Sequence, residues 1–105
     1  MAQFRVYRNP RAETKNRFPL LLDVQSDLIG PLETRVMVPL SAVGAMGGRQ
    51  MTVLMPTFVI DGRKFAMRTP QLAGIPASEI GSQVADLASH RGEIVAAIDL
   101  LVTGF

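Results

Sequence analysis

Asp61-Gly62 lies between two apolar stretches, residues 51–60 and 63–68, and no other feature narrows the fold of this chain as much. Both positions tolerate the positive φ of a tight primed turn, so the flanking stretches are expected to pair as an antiparallel hairpin. In the returning stretch Phe65 and Met67 face one way. Pro56 has no N–H to give a ladder, which confines the outgoing stretch to a sheet edge or a bulge. Three extended segments come earlier. Residues 3–8 alternate, with Phe4 and Val6 opposite Arg5 and Tyr7, the pattern of a half-buried strand. Residues 20–24 are a short apolar run read as a strand. Val36 and Val38 then oppose Arg35 and Met37, and Pro39 is expected to close that segment. Asn9-Pro10, Gly30-Pro31 and the glycines at 44, 47 and 48 separate these pieces, and residues 43–49 read as a flexible connection. Short strands joined by turns make an antiparallel sheet that curls toward a barrel.

The last third changes period. Ile80, Val84, Leu87, Ile94, Ile98 and Leu101 recur at steps of three, four or seven, which lines one helical face. Ser82 is expected to cap this helix, with Asp86 near its positive end. Gly92 is a weak spot costing about 1 kcal/mol relative to alanine in a helix interior. Gly104 suits the left-handed residue that stops a helix. The expected architecture is therefore mainly β, one antiparallel sheet plus one C-terminal helix.

A length of 105 residues fits a single domain with one core, and pairing with a second copy would help so small a core. Hydrophobic residues form 48% of the chain, which argues against disorder. With no cysteine, disulfides, thiolate metal sites and cysteine nucleophiles are excluded. The N-terminal residues carry no apolar signal core and no run is long enough to cross a bilayer, so the expected location is the cytoplasm, away from membrane. The net charge of +2 is unevenly spread. Residues 1–17 hold five basic side chains against Glu13, while residues 76–105 hold four acidic ones against Arg91. A basic front can meet nucleic acid or an acidic partner. A solvated loop is the reading it favours, because residues 8–17 offer no aromatic ring for a base to stack on.

Catalytic motifs are sparse. His90 is the only histidine, and no nucleophile elbow accompanies it; a surface or helix-packing role accounts for it. Asp23 and Asp27 would share one side of an extended strand and could divide acid and base work, but the adjoining Ser26 and turn suit loop hydrogen bonding. The glycines at 44, 47 and 48 lack the Gly-Lys-Ser/Thr of a phosphate loop. No metal or cofactor is expected. The six methionines fit an adaptable surface or core filling. Phe105, directly after the helix, either packs back on the core or meets a partner.

The run Asp23-Val24-Gln25-Ser26-Asp27-Leu28-Ile29 resembles a signature of the CcdB family, toxins of toxin–antitoxin pairs. So do Gln3-Phe4-x-Val6-Tyr7 and Arg35-x-Met37-Val38-Pro39-Leu40. Leu54-x-Pro56, Met67-x-Thr69, Ile80-Gly81 and Val84-Ala85-Asp86-Leu87 follow in order, with one insertion in the basic loop after Tyr7. The resemblance implies an SH3-like small barrel with a C-terminal helix, one toxin domain over residues 1–105, acting as a homodimer. It implies binding to the A subunit of DNA gyrase, trapping of the gyrase–DNA cleavage complex, and neutralisation by a CcdA-like antitoxin. DNA would be met only indirectly, through the repressing toxin–antitoxin complex.

Carried over by position, the gyrase-contacting residues are Leu28, Ile29, Asp99, Val102, Thr103, Gly104 and Phe105. Familiar toxins of the family end in Trp-Gly-Ile where this chain has Thr103-Gly104-Phe105. Val102 replaces a usual aromatic, and Asp99 a usual asparagine. Losing a buried tryptophan anchor costs an interface about 2 kcal/mol or more, roughly twentyfold in affinity. Two alternatives therefore stand beside the gyrase poison: a relative that keeps the antitoxin and operon repression alone, and an endoribonuclease toxin of the same general fold.

Overall fold

In the computed structural model, residues 1–29, 33–43 and 53–104 are described. Seven strands form one antiparallel sheet among them: β1 (Arg5–Arg8), β2 (Leu20–Asp23), β3 (Thr34–Ala42), β4 (Thr57–Ile60), β5 (Arg63–Met67), β6 (Ala73–Pro76) and β7 (Gln83–Asp86). One α-helix among the described residues, α1 (Arg91–Thr103), follows. The sheet order is β4-β5-β3-β2-β1-β7, with β6 added beside the first half of β3. The sheet curls into a half-barrel of the SH3-like kind, with the helix across it.

The expected hairpin forms. Asp61 and Gly62 take φ of 51° and 76°, and Ile60 pairs with Arg63 across them. β4 lies at the sheet edge with Pro56 just before it, and is shorter than the stretch expected to form it: Val53–Met55 turn, and residues 51 and 52 lie outside the described residues. The expected connection at 43–49 likewise falls outside them from residue 44 on.

Pro39 does not close β3, which runs on to Ala42. β6 pairs with residues 34–37 and β5 with residues 40–42, so Pro39 falls between two partner strands. Its carbonyl points that way and accepts the Arg68 N–H at 2.9 Å. The missing N–H of Pro39 faces the same side, where Arg68 opposite it turns its carbonyl to the Gln71 N–H at 2.9 Å instead.

Both faces of the central sheet are covered. On one, Val6, Leu20, Leu22, Val38 and Leu40 pack with Phe58, Phe65, Met67, Leu87 and the helix residues Ile94 and Ala97. On the other, Tyr7, Leu21 and Met37 form a second cluster under Ile75 and Ile80. β1 is therefore covered on both sides at Val6 and Tyr7, where its alternation suggested one buried face, while Arg5 and Arg8 stay exposed. The Tyr7 hydroxyl keeps a partner by accepting the Ala2 N–H at 3.1 Å.

The helix begins later than its apolar spacing predicts. Residues 83–86 form β7, and Ser82 caps nothing; its carbonyl accepts the Arg8 N–H at 2.9 Å. β1 and β7 change register so that Val6 faces Ala85 while Tyr7 faces Gln83. Val84 is the extra residue of a β-bulge. Both Val84 and Ala85 then pack against the main core, which breaks the period of two and imitates a helical step. Asp86 accepts the Ala88 N–H at 2.9 Å, helping turn the chain into α1. Gly92 consequently sits in the first helical turn, not in an interior. Gly104 ends the helix as expected, at φ 77° with its N–H on the Leu100 carbonyl.

Candidate binding surface at the Leu28 turn and the helix end

Asp23 closes β2 on the face that holds Met37, and Arg35 lies two residues before Met37 on β3, on that same face. The diagonal relation brings the two side chains together. Arg35 Nε donates to Asp23 Oδ2 at 2.9 Å and Nη2 approaches the same oxygen at 2.7 Å. Arg35 is 8% exposed and Asp23 fully buried. Burial pushes the Asp23 carboxyl above its ordinary value, while the Arg35 hydrogen bond, the Gln25 N–H and the Arg35 charge pull against that rise. The alternation of β3 left the side of Arg35 open; the face that it shares with Met37 is the sequence signal of its burial.

A turn is built on this pair. Asp23 Oδ1 accepts the Gln25 N–H at 3.0 Å, and Gln25 Oε1 accepts the Val36 N–H at 3.1 Å. Asp27 Oδ1 accepts the Gln3 N–H at 2.9 Å and stands 3.7 Å from Arg35 Nη2. Ser26 Oγ accepts the Leu28 N–H at 3.1 Å, and the Ser26 carbonyl that of Ile29 at 3.3 Å. Asp23 and Asp27 do point to one side, and their use there is loop hydrogen bonding and a shared cation. The outcome is a pinned turn that displays Leu28, 97% exposed, and Ile29, half exposed. Burying such a side chain is worth about 1.5–3 kcal/mol, a gain that the ordered display of Leu28 forgoes.

The end of α1 makes a second display. Val102 is 75% exposed and Leu101 partly so. Asp99 is exposed and makes no ion pair among the described residues. A negative charge in the last helical turn opposes the helix dipole, so Asp99 does nothing there for stability. Thr103 is exposed, but its hydroxyl donates back to the Asp99 carbonyl at 2.6 Å. Gly104 is exposed, and Phe105 lies outside the described residues. Among those residues no hydrogen bond or ion pair ties the Leu28 turn to the helix end.

The other candidates are occupied. His90 Nδ1 lies 3.0 Å from a Glu93 carboxylate oxygen and its ring meets Phe58 edge-on at 5.0 Å, a helix-packing role. In the basic loop, Asn9 Nδ2 donates to Thr14 Oγ1 and to the Phe18 carbonyl, at 3.0 and 2.8 Å. Arg11 lies within 3.8 Å of Glu13 and 3.6 Å of Glu79. No helix among the described residues is long and apolar enough to cross a membrane. A family model described as CcdB protein matches residues 3–104 of the chain.

Proposed function

The chain belongs to the CcdB family, toxins of toxin–antitoxin pairs that act by binding and not as classical enzymes, and from that premise we propose that it poisons DNA gyrase. As a homodimer it inserts the ends of its two α1 helices, with the Leu28–Ile29 turns beside them, into the A subunits and traps the gyrase–DNA cleavage complex. Leu28, Ile29, Asp99, Val102, Thr103, Gly104 and Phe105 make the contact, and a CcdA-like antitoxin neutralises the dimer in the cytoplasm. The single observation that supports this most is the pairing of order with exposure: Leu28 and Val102 stay in water on a turn and a helix end whose backbones are hydrogen-bonded in place. No proton transfer or nucleophile is needed, because the activity is stabilisation of an intermediate that gyrase itself makes.

The test is supercoiling and DNA cleavage with purified gyrase. Intact protein is expected to accumulate cleaved DNA, and deletion of Gly104 and Phe105 to abolish this while the thermal unfolding midpoint is kept. Cleavage that survives the deletion excludes the mechanism.

Thr103 favours a second reading. Its hydroxyl is spent on its own helix, and it offers no aromatic surface where the family has tryptophan. A relative that binds antitoxin and co-represses its operon without touching gyrase would show operator binding with antitoxin and no gyrase inhibition at any concentration.

A further inference from the structure

One end of the half-barrel collects cations that the fold leaves unpaired. β1 closes on Arg8, the loop after it carries Arg11, Lys15 and Arg17, and β5 opens on Arg63 and Lys64. The hairpin is remote from the loop in sequence, but Arg8, Pro19 and Arg63 border one cleft, which sets the hairpin tip beside the base of the loop. The loop itself is ordered. The Asn9 N–H reaches the Pro19 carbonyl at 3.0 Å, and the Lys15 and Phe18 N–H groups reach the Arg11 and Thr14 carbonyls at 2.9 and 2.7 Å. Arg11 is spent on Glu13 and Glu79. Arg8, Lys15, Arg17, Arg63 and Lys64 are exposed and make no ion pair among the described residues. Against them stands Asp61, also exposed and unpaired. The Arg17 guanidinium lies 5.1 Å from the Phe18 ring and that of Arg63 lies 5.5 Å from the Phe65 ring. A guanidinium held over a ring has less freedom to lose on binding than one in open water.

We propose that this end is a contact surface for the phosphate backbone of duplex DNA, used by the chain itself and without regard to base sequence. The excess of free cations selects an anionic partner. The poverty of the loop in apolar groups selects phosphate over carboxylate. Residues 10–17 carry no apolar side chain beyond Pro10 and Ala12, and the Phe18 ring already lies under Arg17, so an acidic peptide would meet charge there and no anchor. Phosphate needs only charge, because release of the condensed counter-ions supplies the affinity. The lack of a free ring also selects duplex over single strand, which is held by stacking its bases on aromatic side chains. Contacts to phosphate alone position a protein on DNA and read no sequence. β2 runs from Leu20 at this end to Asp23, where the Leu28 turn begins, so the basic surface and that turn lie at opposite ends of one strand. Taking the duplex to be the DNA that gyrase holds rests on the gyrase reading; the surface itself does not.

The experiment is fluorescence anisotropy of two labelled DNA duplexes of unrelated sequence titrated with the full chain, without gyrase or antitoxin. Both duplexes are expected to bind alike and a single strand of equal length more weakly. Affinity is expected to fall tenfold or more as salt rises from about 50 to about 200 mM. Lys15→Gln with Arg17→Gln is expected to weaken binding tenfold or more and to lower the salt dependence by about two released counter-ions. Where that variant does not fold, Lys15→Gln with Lys64→Gln replaces it, with the same expected direction. The proposal is overturned if neither duplex binds at about 100 μM protein in low salt, if the loop variant binds equally well, or if the single strand binds more tightly. It is also overturned if polyglutamate displaces the labelled duplex as readily as unlabelled duplex of equal charge, which would make this end a site for an acidic peptide. Failure of the parent protein to act on gyrase strikes the gyrase reading and leaves the anisotropy to decide this surface.

Discussion

Removing the Arg35 guanidinium strands the Asp23 carboxylate, a fully buried group, without its counter-charge. Arg35→Met is expected to cost about 3–5 kcal/mol at pH 7, the range for breaking a buried pair from one side. The pH dependence follows from the raised Asp23 carboxyl, which burial lifts above 3.8 and Arg35 restrains. An acid whose folded pKa exceeds its unfolded one contributes fully below the unfolded value, and that contribution is lost as pH rises through the folded value. Without Arg35 the folded value climbs further, so the variant's deficit is expected to be larger at pH 7 than at pH 4. Urea denaturation at both pH values checks this, and equal deficits would contradict it. The same pair carries the turn that displays Leu28, which links a stability device to the proposed contact.

At the scale of the element, the junction of β1 with the chain before β7 is the tightest place. A Cβ on Gly81 would lie 2.8 Å from the Arg8 carbonyl oxygen, the same oxygen that accepts the Gly81 N–H at 2.9 Å. Backbone cannot swing aside, and Gly81→Ala is expected to cost about 1–3 kcal/mol. Gly92→Ala, in the first turn of α1 with nothing within 4 Å, is expected to raise stability by less than the roughly 1 kcal/mol of an interior position. Urea midpoints measure both, and a neutral Gly81→Ala would show that the strands can separate there freely. This junction also shows what sequence pattern conveys and what it hides. The Asp61-Gly62 hairpin and the Gly104 stop were legible because each needs a backbone conformation that few residues adopt. β7 was not, since a bulge turns Val84 and Ala85 to one side and erases alternation. Pro39 misled for a related reason: its lost N–H matters only where a neighbouring strand would have used it.

Across the whole molecule, sheet and helix were readable from period and turns, whereas the cover on the second sheet face was not. Ile75 reaches that face through pairing of β6 with β3, and Ile80 through the turn that follows β6, a long-range arrangement that no local pattern encodes. The residues of the candidate surface come from the resemblance alone, and the fold supplies only their physical setting. Nothing local announces that Arg35 is buried under the turn, or that Leu28 stays exposed while Leu20, Leu21 and Leu22 are covered. The proposed gyrase contact depends on Leu28 and Val102 being exposed for a partner, and gyrase cleavage by Leu28→Ala with Val102→Ala reads this most directly. Both side chains are largely in water, so folding stability is expected to stay within about 0.5 kcal/mol of the parent. Trapping of cleaved DNA is expected to fall tenfold or more. Undiminished cleavage by the double variant, or none by the parent, would contradict the account.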